Sequence, residues 1–90
     1  MSRFDWDPVK AEANFRKHGV TFEEAAKLLD TDRCDERPDT RHSLGEVRVR
    51  TIGYAPGDAV IVVITSTGGR RPRIISARRA TKRERDEYVG

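Results

Sequence analysis

The sequence predicts an α+β domain in which an antiparallel sheet carries two helices from the N-terminal third and one from the C-terminus. Three observations predict it. Two stretches with helical spacing and start and stop signals occupy the first thirty residues. Three strand-like runs follow, separated by short turns. A last capping sequence then opens a closing helix. Ninety residues are enough for one domain, spanning 1–90, and too few for two.

Phe4-Asp5-Trp6 is a short apolar start with the character of an edge strand. Asp7-Pro8 opens the first helix, because Asp accepts free amide protons at the N-cap and Pro fits the first helical position. The helix runs to about His18, and Gly19 stops it. Ala11, Asn14, Phe15 and His18 fall on one face; Phe15 is expected in the core, with Asn14 and His18 at its boundary. Thr21 and Glu24 have the spacing of a capping box, and Phe22, Ala25, Ala26 and Leu29 then form a buried stripe. Residues 31–43 read as a loop or an edge strand around Arg33 to Arg37.

Residues 46–54 alternate, with Val47, Val49 and Thr51 on one face and Glu46, Arg48, Arg50 and Ile52 on the other. After the turn Ala55-Pro56-Gly57-Asp58, residues 59–65 form a continuous β-branched run suited to a central strand buried on both faces. Ser66-Thr67-Gly68-Gly69 turns the chain into a strand at 73–79, so the three main strands make an antiparallel meander with one or two edge strands beside it. As a regular strand, 73–79 places Arg73 and Arg79 on one face and Ile74, Ser76 and Arg78 on the other. Thr81 and Glu84 repeat the capping-box spacing and start a helix to Tyr88.

Apolar residues make up 36% of the chain and charged residues 37%, so the core is thin. No run approaches the ~18 apolar residues of a membrane span, and Met1-Ser2-Arg3-Phe4-Asp5 has no signal-peptide character. A cytoplasmic location is expected. Cys34 is the only cysteine and reads as a free, inert thiol; with His18 and His42 far apart, no zinc ligand set is expected. Asp5 and Asp7 are set aside as a metal pair because Asp7 is needed as a cap. Gly68-Gly69 reads as a turn, since no helix follows it directly to cradle a phosphate. Neither metal nor cofactor is expected.

The net charge of +3 is unevenly spread. Residues 70–90 hold eight Lys and Arg against three acids, while the first 69 hold ten against twelve. A basic block on a near-neutral body is the footprint of a phosphate-backbone binder. The plainer reading is a solvated, salt-bridged surface.

Several linked motifs in order resemble the BrnT-type toxins, a branch of the RelE-like ribonuclease fold. They are Phe4-Asp5-Trp6-Asp7-Pro8, Lys10, Asn14, Lys17-His18-Gly19-Val20 and Phe22-Glu23-Glu24-Ala25; then Gly45-Glu46-x-Arg48 with Gly53; then the stretch from Arg73 to Thr81, Arg83-Glu84-Arg85 and Tyr88. Residues 33–40 are more charged than the family's second strand. The resemblance implies an RNA-cleaving toxin neutralised by a BrnA-like antitoxin in an assembly with two copies of each. It also implies that this antitoxin carries a ribbon-helix-helix part, so that operator DNA is bound only through the antitoxin.

A metal-independent ribonuclease can use the RNA 2′-hydroxyl as nucleophile. It needs a base for that hydroxyl, cations for the phosphoryl oxygens and an acid for the leaving oxygen. Arg48, Arg73, Arg78 and Arg79 are the strand-borne candidates for the cationic role, because a guanidinium stays charged and its fork matches two phosphate oxygens. Glu46 shares a face with Arg48 and is the candidate base; its plain alternative is a salt bridge to Arg48 or Arg50. His18 is a candidate acid or base, against the plain role of interacting with the end of its helix. Tyr88, placed with Arg85 on the last helix, can donate a proton or stack on a base, or simply pack that helix on the sheet. Lys17, Arg79, Lys82, Arg83 and Arg85 are the candidate RNA contacts, while Phe4 and Trp6 are read as core. Two rival functions stand beside cleavage: a non-catalytic nucleic-acid-binding module, and a co-repressor partner of a DNA-binding antitoxin.

Overall fold

The computed structural model describes residues 3–31, 34–39, 47–67 and 71–89. Its elements in chain order are α1 (Pro8–His18), α2 (Phe22–Leu29), β1 (Cys34–Asp39), β2 (Arg48–Tyr54), β3 (Val60–Ser66), β4 (Arg73–Arg79) and α3 (Lys82–Val89). The four strands form one antiparallel sheet in the order β1-β2-β3-β4. Local signals fix the helix ends as expected. Asp7 Oδ1 accepts from the Val9 amide at 2.9 Å, and Gly19 closes α1 at φ +71°, a conformation costly for residues with a Cβ. Thr21 Oγ1 caps α2 by accepting from the Glu24 amide at 3.0 Å.

The sheet is covered on both faces. On one, Phe22, Ala25, Ala26, Leu28 and Leu29 of α2 pack with Val20, Ile61, Val63, Ile74 and Ala77. Trp6 joins this core through an edge-to-face contact with Phe22, the ring centroids 6.2 Å apart. On the other, Ile52, Val60 and Val62 form a smaller core against which Tyr54, Ile64, Ala80 and Tyr88 pack. β3 therefore feeds both cores from alternate residues, which explains its unbroken apolar run.

α1 departs from expectation. Phe15 is half exposed, and Asn14 is the buried residue of the helix. The cause is a polar fit. α1 lies along β4, an edge strand whose outward backbone groups need partners. Asn14 Nδ2 donates to Ala77 O at 2.8 Å and to Val20 O at 3.1 Å, while its Oδ1 accepts from the Ala77 amide at 3.2 Å. The side-chain amide thus stands in for a strand residue. Asp5 does the same with its backbone, accepting from the Ile74 amide at 2.8 Å and donating to Pro72 O at 2.9 Å. The expected edge strand at residues 4–6 is this single parallel bridge to β4.

β4 itself is not regular. A register shift opposite Ile64 and Thr65 leaves Ile75 as the extra residue, with Ser66 facing Arg73, Thr65 facing Ile74, Ile64 facing Ser76 and Val62 facing Arg78. Arg73 and Arg78 consequently fall on the same sheet face, and Ile74 turns into the α2 core with Ala77. This corrects the alternation expected of an unbroken strand.

Candidate active site

The face of the sheet that carries α3 gathers the strand-borne arginines. Arg50 on β2 and Arg78 on β4 lie on either side of β3, whose Val62 and Ile64 are their cross-strand neighbours. Both guanidinium groups reach over β3 to Glu84, in the first turn of α3. Arg78 donates from Nη1 to Glu84 Oε1 at 2.7 Å and from Nη2 to Oε2 at 2.9 Å, a bidentate fork. Arg50 Nη2 donates to the same Oε2. The Thr81 amide donates to Oε1 at 2.8 Å, while Thr81 Oγ1 accepts from the Glu84 amide at 3.1 Å. One capping box therefore starts α3 and also aims a carboxylate at two arginines.

The electrostatics follow from that geometry. The Arg78 hydrogen bond, helped by the Thr81 amide and by Arg50, holds the Glu84 carboxyl well below the usual carboxylate range, although burial opposes the shift. The same pairing raises the Arg78 guanidinium above its ordinary value. Beside the cluster an open cleft is lined by Asp35, Arg37, Arg50, Ile52, Glu84, Glu87 and Tyr88. Arg50 opens onto this cleft; Arg78 is not among its lining residues. Three acids against two arginines leave the cleft without the net positive charge expected of a basic face.

The remaining candidates fall in several places. Arg48 lies in register with Ser66 and Arg73 on the α3 face, and Arg73 pairs with Asp5 at 3.4 Å. Tyr88 packs on Tyr54 with centroids 5.6 Å apart, and it lines the cleft together with Glu84 one turn earlier, while Arg85 is exposed. Lys82 is exposed and pairs with Asp86 at 3.3 Å; Arg83 is exposed on α3. Arg79 is exposed, and its register with Ile61 places it on the opposite face from Arg78. His18, half-buried, and Lys17, exposed, end α1, the helix that lies along the β4 edge. Asp5 and Asp7 are engaged with Arg73 and with the start of α1. Glu46, Arg33, Arg70, His42 and the Gly68-Gly69 turn lie outside the described residues.

Sequence pattern does not mark two residues of the cluster, Arg50 and Glu84, as site residues. Arg50 was visible as a face-mate of Arg48. Glu84 was visible only as a helix cap, since no local pattern announces that a capping carboxylate will meet arginines 34 and 6 residues away.

The family model described as the ribonuclease toxin BrnT of type II toxin–antitoxin systems matches residues 6–84. The chain belongs to this family. It is therefore a BrnT ribonuclease toxin of the type II class, for which an antitoxin partner and an RNA substrate are implied. The fold agrees: the 1.1 Å crystal structure of the Brucella abortus ribonuclease toxin BrnT is similar with a TM-score of 0.67 and 27% identity, over 88% of this chain and 96% of that one. No curated protein matches the chain. The BrnT match ends at Glu84, so it takes in both arginines and the carboxylate that joins them.

Proposed function

We propose that this BrnT chain is an endoribonuclease that cuts RNA without a metal, by attack of the 2′-hydroxyl on the adjacent phosphorus, and that a BrnA-like antitoxin neutralises it. The observation that carries the reading is the pair of guanidinium groups held on one sheet face beside a cleft that also presents Tyr88. Fixed cations stabilise charge that builds on phosphoryl oxygens during in-line displacement. Arg48 and Arg73 extend the cationic row along the same face. Tyr88 is assigned to stacking on a base or protonating the leaving oxygen, and Glu46 to deprotonating the 2′-hydroxyl. Lys82, Arg83 and Arg85 on α3 serve as backbone contacts, while Lys17 at the end of α1 and Arg79 on the opposite face contact only an RNA that wraps past the β4 edge. The toxin works in the cytoplasm as half of a complex with two copies of each protein, which meets operator DNA only through the antitoxin.

The test is cleavage of a labelled RNA by the purified chain in EDTA, with end analysis. Cyclic-phosphate and 5′-hydroxyl ends, lost in Arg50→Ala and relieved by the co-expressed antitoxin, are expected. Intact RNA under every condition would sink the reading, and products that form only with added divalent metal would sink its metal-free step. A second placement of the proton-transfer chemistry is at the C-terminal rim of α1, where His18 follows Asn14, the clamp to Ala77, by one turn. Loss of cleavage in His18→Ala with Arg50→Ala unaffected would move the centre to that rim.

A further inference from the structure

Arg50 and Arg78 make unequal use of Glu84. Arg78 commits both terminal nitrogens to the two carboxylate oxygens, and its Nη1 also lies 3.3 Å from Arg79 O. Its fork is thus filled, and a phosphate would have to displace a charge-assisted bidentate pair to occupy it. Arg50 gives Glu84 one nitrogen, and among the described residues its other nitrogens have no partner. Arg50 also borders the cleft. Without Glu84 the two like charges would repel, and each long side chain would be free to sample other rotamers.

We propose that Arg78 and Glu84 form a brace, and that its role is to hold Arg50 toward the cleft as the cation that meets the scissile phosphate. This rests on the ribonuclease reading above and assigns distinct roles within its cluster. Arg50 touches substrate. Glu84 and Arg78 are positioning residues that act through it. The brace is tied to the chain by the Thr81 box, so the start of α3 fixes where Arg50 can go.

A mutant cycle on the full chain tests this with a 5′-labelled mixed-sequence RNA, following single-turnover cleavage and binding. Arg50→Ala is expected to lower the cleavage rate by ~10²–10³-fold. Glu84→Gln and Arg78→Lys are expected to lower it by up to ~10²-fold through misplacement, with RNA affinity changed far less. In the Arg50→Ala background, Glu84→Gln should then cost nothing further, because its route of action is gone. Arg78→Lys keeps the charge count and guards against a Glu84 variant that folds poorly; circular dichroism and melting confirm that each variant is folded. Losses that multiply in the double variant would overturn the brace. So would tighter RNA binding and faster cleavage in Glu84→Gln, which would make Glu84 an internal competitor of the phosphate. Wild-type protein that leaves RNA whole would remove the ribonuclease reading itself; wild-type cleavage with Arg50→Ala equally active would remove only this inference.

Discussion

Glu84 accepts four hydrogen bonds on two oxygens, from Arg78 twice, Arg50 once and the Thr81 amide once. Such a carboxylate stabilises the fold while it is charged. Its folded value lies well below its ordinary 4.5, so its contribution is complete above about pH 4.5 and is lost as the pH falls from there toward the folded value. Stability measured by denaturant titration should therefore fall between about pH 5 and pH 2 less steeply in Glu84→Gln than in wild type. Equal acid limbs would show that Glu84 is not the group responsible. The side chain retains 15% exposure, so loss of the pair is set at roughly 2 kcal/mol, below the range for fully buried pairs. Thr51 presents the opposite case. It is fully buried, and its hydroxyl has no partner among the described residues. Thr51→Val keeps the shape and removes the unmet polar group, and should raise stability by about 1 kcal/mol, read as a higher Tm.

At the scale of elements, α3 has the weakest apolar face of the three helices. It has eight residues, and Tyr88 packs it against the smaller core. Its start therefore depends on the Thr81–Glu84 box. Thr81→Ala should cost about 1 kcal/mol and should also reduce cleavage, since the capping hydroxyl and the carboxylate posture are one device. A variant that loses stability yet cleaves at the wild-type rate well below its melting temperature would separate the two. The edges of the sheet are managed differently. β4 is closed by the Asp5 backbone and the Asn14 side chain. β1 is left as the outer strand, with Asp35, Glu36 and Arg37 exposed along it, charges that oppose pairing with another chain.

Across the whole molecule, the basic C-terminal segment does not become one basic surface. Arg78 is neutralised by Glu84, Arg73 and Lys82 have acidic partners, and Arg79 lies across the sheet from Arg78. A single RNA strand on the α3 face meets only part of this charge. The dependence of log K on log salt should then have a slope of about −2, against about −6 if all eight cations from 70–90 released counterions. Fluorescence anisotropy across a salt series measures it, and the steeper slope would mean that RNA wraps both faces. The described helices include none long and apolar enough to cross a membrane.

Helix boundaries, the buried β3 run and the α+β class were legible because each depends on neighbours within a few residues: Asp7 and Gly19 bracket α1, and Thr21 and Thr81 cap the helices they precede. The ordered motifs also carry the BrnT family, whose model matches residues 6–84. Phe15 was misplaced because burial on α1 was decided by an unmet backbone edge on a strand 63 residues away, which an amide satisfies and a phenyl ring cannot. The face of Arg73 was misplaced because one extra residue in β4 reverses a period of two, and nothing local to that strand marks the bulge. Sequence alone thus determined which segments fold and which charges are available. Tertiary structure alone decided which charges meet, because Arg50, Arg78 and Glu84 come together only when β2 and β4 flank β3 and the last helix lies over them.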